Sequence, residues 1–250
     1  KVHGTRGDGP NRRGSSRGHI MDAVDASLKR LGTDHIDLFY MHRFDPKVPI
    51  ADSVGAMARA IEAGKIGAYG VSEWSAAHVR EAHAVHPVAA VQTEYSLWTR
   101  NVELGVMDAT RDLGIALVAF SPIARGALGG ELTDVNTLTE KDLRRNFPRF
   151  MGENWAHNLA LIAEFNALAA SVHATPAQLA LAWVLAQGEH VHAIPGTRAI
   201  AHFDQNHPAA DLAINAEVLE QAGALMNQQT IAGHRYPDMI KPSIDTEDYA

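Results

Sequence analysis

Ile36-Asp-Leu-Phe-Tyr-Met-His-Arg-Phe-Asp45 carries a buried-strand pattern straight into a histidine, an arginine and an acid. Charged and titratable groups beside a core are costly unless they are paired or used. Taken alone, His42 reads as a hydrogen-bonded core histidine. Four later segments, however, repeat the design: Tyr69-Gly-Val-Ser-Glu73, Val91-Gln-Thr-Glu-Tyr95, Val118-Ala-Phe-Ser-Pro122 and Ala193-Ile-Pro-Gly-Thr-Arg198. Each is an apolar strand with polar residues gathered at its C-terminal end. Parallel α/β proteins place their chemistry at those ends, so the pattern predicts one site assembled from many strands.

Between these strands the spacing predicts helices. Ile20, Val24, Leu28 and Leu31 form a stripe that stops at Gly32, and Ile50, Val54, Met57 and Ile61 form another that ends at Gly64. Ser75 reads as the N-cap of a helix to about residue 85, and Thr175-Pro176 as the start of a helix over 176–187. The Gly-, Arg- and Ser-rich stretch 4–18 reads as a loop. Residues 121–152 read as a long polar loop of the kind that forms lids or binding loops. Alternating strands and helices predict a parallel sheet with right-handed crossovers in a single domain. Five strands suffice for a doubly wound sheet. An eight-stranded barrel needs about three more, which would have to precede Lys1.

Composition narrows the function classes. The 250 residues carry a formal net charge of −7 and no basic stripe, which disfavours nucleic-acid binding. Lys29, Arg30 and the Arg144-Arg145 pair read as solvated faces. No apolar run approaches the roughly 20 residues of a membrane helix. The absence of cysteine rules out thiol nucleophiles and Cys-ligated zinc, and fits a cytoplasmic protein. No Gly-x-Gly-x-x-Gly stretch marks a Rossmann dehydrogenase. His83 with His86, and His190 with His192, raise a metal-dependent hydrolase as an alternative. The first pair falls at the end of a surface helix and the second at the start of a strand, the wrong end of a barrel for chemistry.

Taken in order, Ala26-Ser-Leu-Lys-Arg-Leu-Gly-Thr-Asp-His-Ile-Asp-Leu38, His42-Arg-Phe-Asp45, Gly70-Val-Ser72, Gln92-Thr-Glu-Tyr-Ser-Leu97, Phe120-Ser-Pro122 with Arg125-Gly126, and Ile194-Pro-Gly-Thr-Arg198 with Gln205-Asn206 resemble the aldo-keto reductases, over nearly the whole chain. The subgroup most similar includes the channel β-subunits and bacterial and fungal reductases. The resemblance implies an α/β fold of the (β/α)8 TIM-barrel type, with its first strands expected upstream of residue 1. It also implies reduction of aldehydes or ketones with NADP(H).

By the same resemblance, His42 is the histidine that orients the carbonyl and Lys1 the lysine that lowers the pKa of a tyrosine acid. An unperturbed tyrosine, near 10, is too weak an acid for easy proton transfer near neutrality. That tyrosine and its aspartate are expected upstream of Lys1; Tyr40, Tyr69, Tyr95 and Tyr236 are not in the matching place. Ser72 and Gln92 match the positions that bind the nicotinamide carboxamide. Glu73 stands where many members have Asn, and Phe120 replaces a stacking tyrosine. Ser121, Ile123 and Arg125 would line the pyrophosphate side. Gly196, Thr197 and Arg198 would meet the 2′-phosphate, with Arg198 suited to a bidentate contact, and Gln205 and Asn206 the adenine. Phe44, Trp74, Tyr95 and Trp98 are expected to border the substrate, with Trp98 equally readable as a packed wall residue. The expected partner is a small carbonyl compound, with a regulatory NADPH-binding subunit as the alternative; the oligomeric state is not legible.

Overall fold

The computed structural model describes residues 1–2 and 14–249. Most of the loop expected over 4–18 therefore lies outside the described residues, and its last part is helical, because the first helix already begins at Arg17. Five strands, β1 (Ile36–Met41), β2 (Ile66–Ser72), β3 (Ala90–Glu94), β4 (Ala116–Phe120) and β5 (Val191–Ile194), follow one another in chain order in one sheet. Helices α1 (Arg17–Leu31), α2 (Ile50–Glu62), α3 (Ala76–Val85), α4 (Val106–Leu113), α5 (Gly152–Ser171), α6 (Pro176–Leu185), α7 (Ile200–Asn206) and α8 (Ala216–Leu225) complete the regular elements. β1 and β2 pair in parallel with Phe39 opposite Tyr69 and Met41 opposite Val71, and β2 pairs with β3 with Ser72 opposite Gln92. A doubly wound sheet reverses its strand order at a switch point. This order never reverses, which is the topology of a barrel wall. Val2 extends it on the other side of β1: its N–H donates to Tyr40 O at 2.8 Å and its carbonyl accepts from His42 N–H at 2.9 Å.

Contacts divide the chain into two compact units. The first comprises Lys1–Thr93, Glu103–Leu117 and Ser243–Asp248; the second comprises Glu94–Val102, Val118–Pro242 and Tyr249–Ala250. In the first, Ile20 and Val24 of α1, Val54 and Met57 of α2, and Phe39, Met41, Ile66 and Val71 of the strands are buried. Their spacing of three and four residues on helices, and two on strands, turns one face of each element inward. The stripe on α1 is shorter than its spacing suggests. Leu31 is 67% exposed in a last turn that also carries Lys29 and Arg30, and Ala23 and Ser27 share the buried face instead. Left-handed Gly32 and Gly64 follow α1 and α2, a conformation that costs a side chain and suits glycine.

Gly70 is required for a different reason. A Cβ there would lie 2.5 Å from the Tyr40 ring and 2.7 Å from Ala90 O. The ring can turn, but the carbonyl belongs to the neighbouring strand and cannot yield. Gly70→Ala is therefore expected to cost about 3 kcal/mol of stability by overpacking, read as a lowered urea midpoint; an unchanged midpoint would refute this account of the glycine.

In the second unit, α6 starts with a complete capping box between Thr175 and Gln178 and with Pro176 in its first turn, as expected of such a sequence. The long segment after β4 is built from short 3-10 turns over Ala124–Gly129, Val135–Thr137, Leu143–Asn146 and Pro148–Phe150. Buried Arg149 ties it down, donating to Trp98 O, to Thr99 Oγ1 at 2.7 Å and to Gly233 O at 3.1 Å. Asn158 accepts from Ala232 N–H and donates to Ala232 O, both at 2.9 Å. Among the described residues, no single helix is long and apolar enough to cross a membrane.

Candidate functional site

In the first unit, Ser72 ends β2 and stands opposite Gln92 inside β3, His42 follows directly on β1, and Lys1 precedes Val2, which bridges to Met41. Val2 stands beside Met41, so Lys1 and His42 emerge from adjoining strands. The Lys1 ammonium donates to Gln92 Oε1 and lies 5.4 Å from the centre of the Tyr40 ring. Desolvation pushes the lysine pKa down to about 8. The neighbouring Arg43 guanidinium adds to this, and the Glu73 carboxylate acts in the opposite direction.

Glu73 occupies its expected place in the chain, but its side chain turns inward and is fully buried. Its carboxylate accepts from Thr93 Oγ1 at 3.3 Å and Thr246 Oγ1 at 3.1 Å, and Arg43 Nη1 stands 4.0 Å away. An isolated buried carboxylate would be costly; hydroxyl donors and a nearby cation compensate it. Phe44 leans edge-on against Trp74, with ring centres 5.3 Å apart, and stacks on His78 at 4.1 Å. His78 Nδ1 lies 3.1 Å from Ser75 Oγ and 2.8 Å from Asp245 Oδ2. Both partners meet the same ring nitrogen, so this Ser, His and Asp cannot form a proton relay, which needs one partner on each nitrogen.

In the second unit a groove of ≈ 1220 Å³ opens beyond β4 and β5. Its lining includes Phe120 at the end of β4, Ser121, Ile123 and Arg125 after it, and Gly196, Thr197, Arg198, Gln205 and Asn206 after β5. The eight residues expected on the phosphate and adenine side all line this groove, together with Phe120. Ser121, Ala124 and Arg125 adopt left-handed φ angles of 52°, 49° and 57°. Such angles are uncommon outside glycine and cluster at functional sites.

The cations of the groove differ in availability. Arg125 is tied to buried Glu94 by a 2.8 Å ion pair and lies between the rings of Phe147 and Tyr236, 4.5 and 5.1 Å from their centres. It shapes the wall rather than offering a free charge. Arg144, which reads as solvated in the sequence, also lines the groove. It is held by Asp142 at 2.7 Å and donates to Arg125 O at 3.1 Å. The bond from Arg144 keeps the Asp142 carboxyl below the usual range, with Arg198 contributing last. Exposed Arg198 makes no ion pair among the described residues. Its charge is available for an anion.

Of the four aromatic residues expected at the substrate, Trp74, Tyr95 and Trp98 are buried and only Phe44 is partly exposed. Tyr95 is buried against Trp183 at 5.5 Å, and Trp98 against Phe150 at 5.3 Å. Sequence position alone cannot separate a pocket wall from the packing behind it. The histidines of the metal alternative have other contacts: His83 Nδ1 accepts from Val88 N–H at 3.2 Å, and His86 Nδ1 lies 3.4 Å from Pro87 O. Among the described residues, no group of three or more His, Cys, Asp or Glu side chains is placed to hold a metal ion.

A parallel sheet in unbroken chain order, with helices between its strands, defines an α/β protein of the barrel type. The family model for the aldo/keto reductase family matches residues 1–226. The chain belongs to that family. It is 40% identical over 230 residues to aldo-keto reductase str7 of Strobilurus tenacellus, covering 91% of this chain and 68% of that protein. To probable aldo-keto reductase 1 of Glycine max it is 42% identical over 218 residues, covering 87% and 63%. The chain thus spans about two thirds of the length of these relatives. Its fold is similar to that of the glycerol dehydrogenase AKR11B4 from Gluconobacter oxydans, with a TM-score of 0.82, 26% identity, and coverage of 99% of this chain and 72% of that one. It is also similar to the thermostable aldo-keto reductase Tm1743 in complex with the inhibitor epalrestat, with a TM-score of 0.67, 26% identity, and coverage of 84% and 67%.

Proposed function

We propose that the protein reduces aldehydes or ketones to alcohols with NADPH. The observation that carries this reading is the meeting of Lys1 and Gln92 at the strand ends, with His42 on the adjoining strand. When bound, the reduced dinucleotide supplies the hydride. His42 donates a ring N–H toward the carbonyl oxygen, where negative charge develops. The Lys1 ammonium stabilises the phenolate of a tyrosine acid of the kind the family uses, so that the tyrosine gives up its proton more readily. Tyr69 is unsuited to that role: it is buried, its hydroxyl faces Ala82 O and His86 O at 3.2 and 2.8 Å, and burial pushes its pKa up.

The residues present fit the cofactor. Ser72 and Gln92 suit the carboxamide, and the ring of Phe120 supplies a stacking face. Asn206 Oδ1 is buried at the groove with no hydrogen-bond partner among the described residues, an acceptor suited to the adenine amino group. Arg198, exposed and with no ion pair among the described residues, suits the 2′-phosphate. Glu73, held by Thr93 and Thr246, supports the strand end rather than presenting its carboxylate. The test is a fluorescence titration with NADPH and NADH, then NADPH consumption with a panel of aldehydes. Tighter binding of NADPH, with turnover, is expected. Binding without turnover would favour a regulatory NADPH-binding subunit, and absence of binding would refute the reading.

A further inference from the structure

The turn after β2 holds a residue where its backbone is least at ease. Glu73 follows Ser72 directly and has a φ of 58°, a left-handed conformation that favours glycine and, less strongly, Asn or Asp. A bulky acid persists there only when its surroundings over-determine it. Those surroundings come largely from the end of the chain. The Glu73 carbonyl accepts from the N–H groups of both Asp245 and Thr246, at 3.1 and 3.2 Å. Thr246 Oγ1 donates to Glu73 Oε2 at 3.1 Å, and Thr246 is itself buried. On the other side, Glu73 N–H donates to Gln92 O at 3.0 Å and Thr93 Oγ1 reaches Glu73 Oε1.

The same terminal segment grips the helix that follows. Asp245 Oδ2 accepts from Ser75 N–H at 2.7 Å and meets His78, and Glu247 Oε1 accepts from Ala76 N–H at 2.7 Å. Carboxylates at a helix start satisfy otherwise unpaired N–H groups. Thus the turn is bonded to the chain end from its first residue through the start of α3, while its inner side is fixed to β3.

We infer that the segment Ser243–Asp248 is a clamp that sets the Ser72–Glu73 turn, with Thr246 and Asp245 as positioning residues for the nicotinamide end of the cofactor. This rests on the cofactor reading above. It assigns to the C-terminal segment an effect on cofactor geometry, exerted through Glu73 and not by contact with the substrate.

The test compares two ligands of the full-length protein: NADPH, and 2′,5′-ADP, which carries the adenine and 2′-phosphate but no nicotinamide. Thr246→Val keeps the shape and removes the hydroxyl donor. It is expected to weaken NADPH about tenfold and leave 2′,5′-ADP unchanged, and Thr246→Ser is expected to restore NADPH binding. Asp245→Asn should shift the same ratio in the same direction, and it carries the test if Thr246→Val does not fold. In a folded variant, an equal loss of both ligands, or no change in either, would overturn the inference. Wild-type protein that binds neither ligand would instead refute the cofactor reading and the inference with it. Wild type that binds both, with variants whose ratio is unaltered, would refute the inference alone.

Discussion

Replacing His42 with alanine is expected to lower carbonyl turnover by about 100- to 1,000-fold, the usual effect of deleting one donor aimed at a developing oxyanion. The residue stands one position beyond β1, and its backbone N–H is fixed by Val2 O at 2.9 Å. The strand end is therefore held by the sheet, and the side chain can be removed without removing its support. The ring is half-buried rather than enclosed, so its loss leaves no closed cavity and the stability change should be small. Binding of NADPH should be nearly unaffected, because the proposed cofactor contacts lie on other residues. Stopped-flow reduction of an aldehyde under saturating NADPH separates these effects. A variant that keeps its turnover would remove His42 from the mechanism. One that loses NADPH affinity in proportion would make it a cofactor residue.

Replacing Arg198 with alanine is expected to weaken NADPH by about 10- to 100-fold, the worth of one charge-assisted contact of about 1.5–3 kcal/mol. NADH, which lacks the 2′-phosphate, should be almost indifferent. Other cations in the groove cannot readily substitute, since Arg125 is committed to Glu94 and Arg144 to Asp142. Because Arg198 is exposed, its attraction for the phosphate should also fall as salt rises. Parallel titrations with both dinucleotides at low and high salt decide the matter. Equal losses for NADPH and NADH would refute the role given to Arg198.

Much of this arrangement was legible because it depends on local rules. Apolar periodicity located the strands and helices, and Gly32, Gly64, Ser75 and Thr175 marked their ends. Polar residues after each strand marked the candidate site residues, since chemistry in parallel α/β folds gathers at C-terminal strand ends. Strand number left a doubly wound sheet and a barrel both open. Only the pairing order, which no local pattern encodes, separated them.

What was not legible shares one cause. Arg144 reads as a solvated face, Tyr95 and Trp98 as residues near the substrate and Glu73 as a residue at the carboxamide, and the sequence shows no partner for any of them. What decided each was a partner distant in sequence: Arg125 beneath Arg144, Trp183 against Tyr95, Phe150 against Trp98, and Thr246 on Glu73 from 173 residues away. By itself the sequence determined the strands, the helices, the family resemblance and which residues stand at the strand ends, because backbone conformation and amphipathic spacing act over a few residues. The tertiary structure alone decided which of those charges are already paired and which are left to meet a ligand, because hydrogen bonds and ion pairs close only where the fold brings distant residues within about 3 Å.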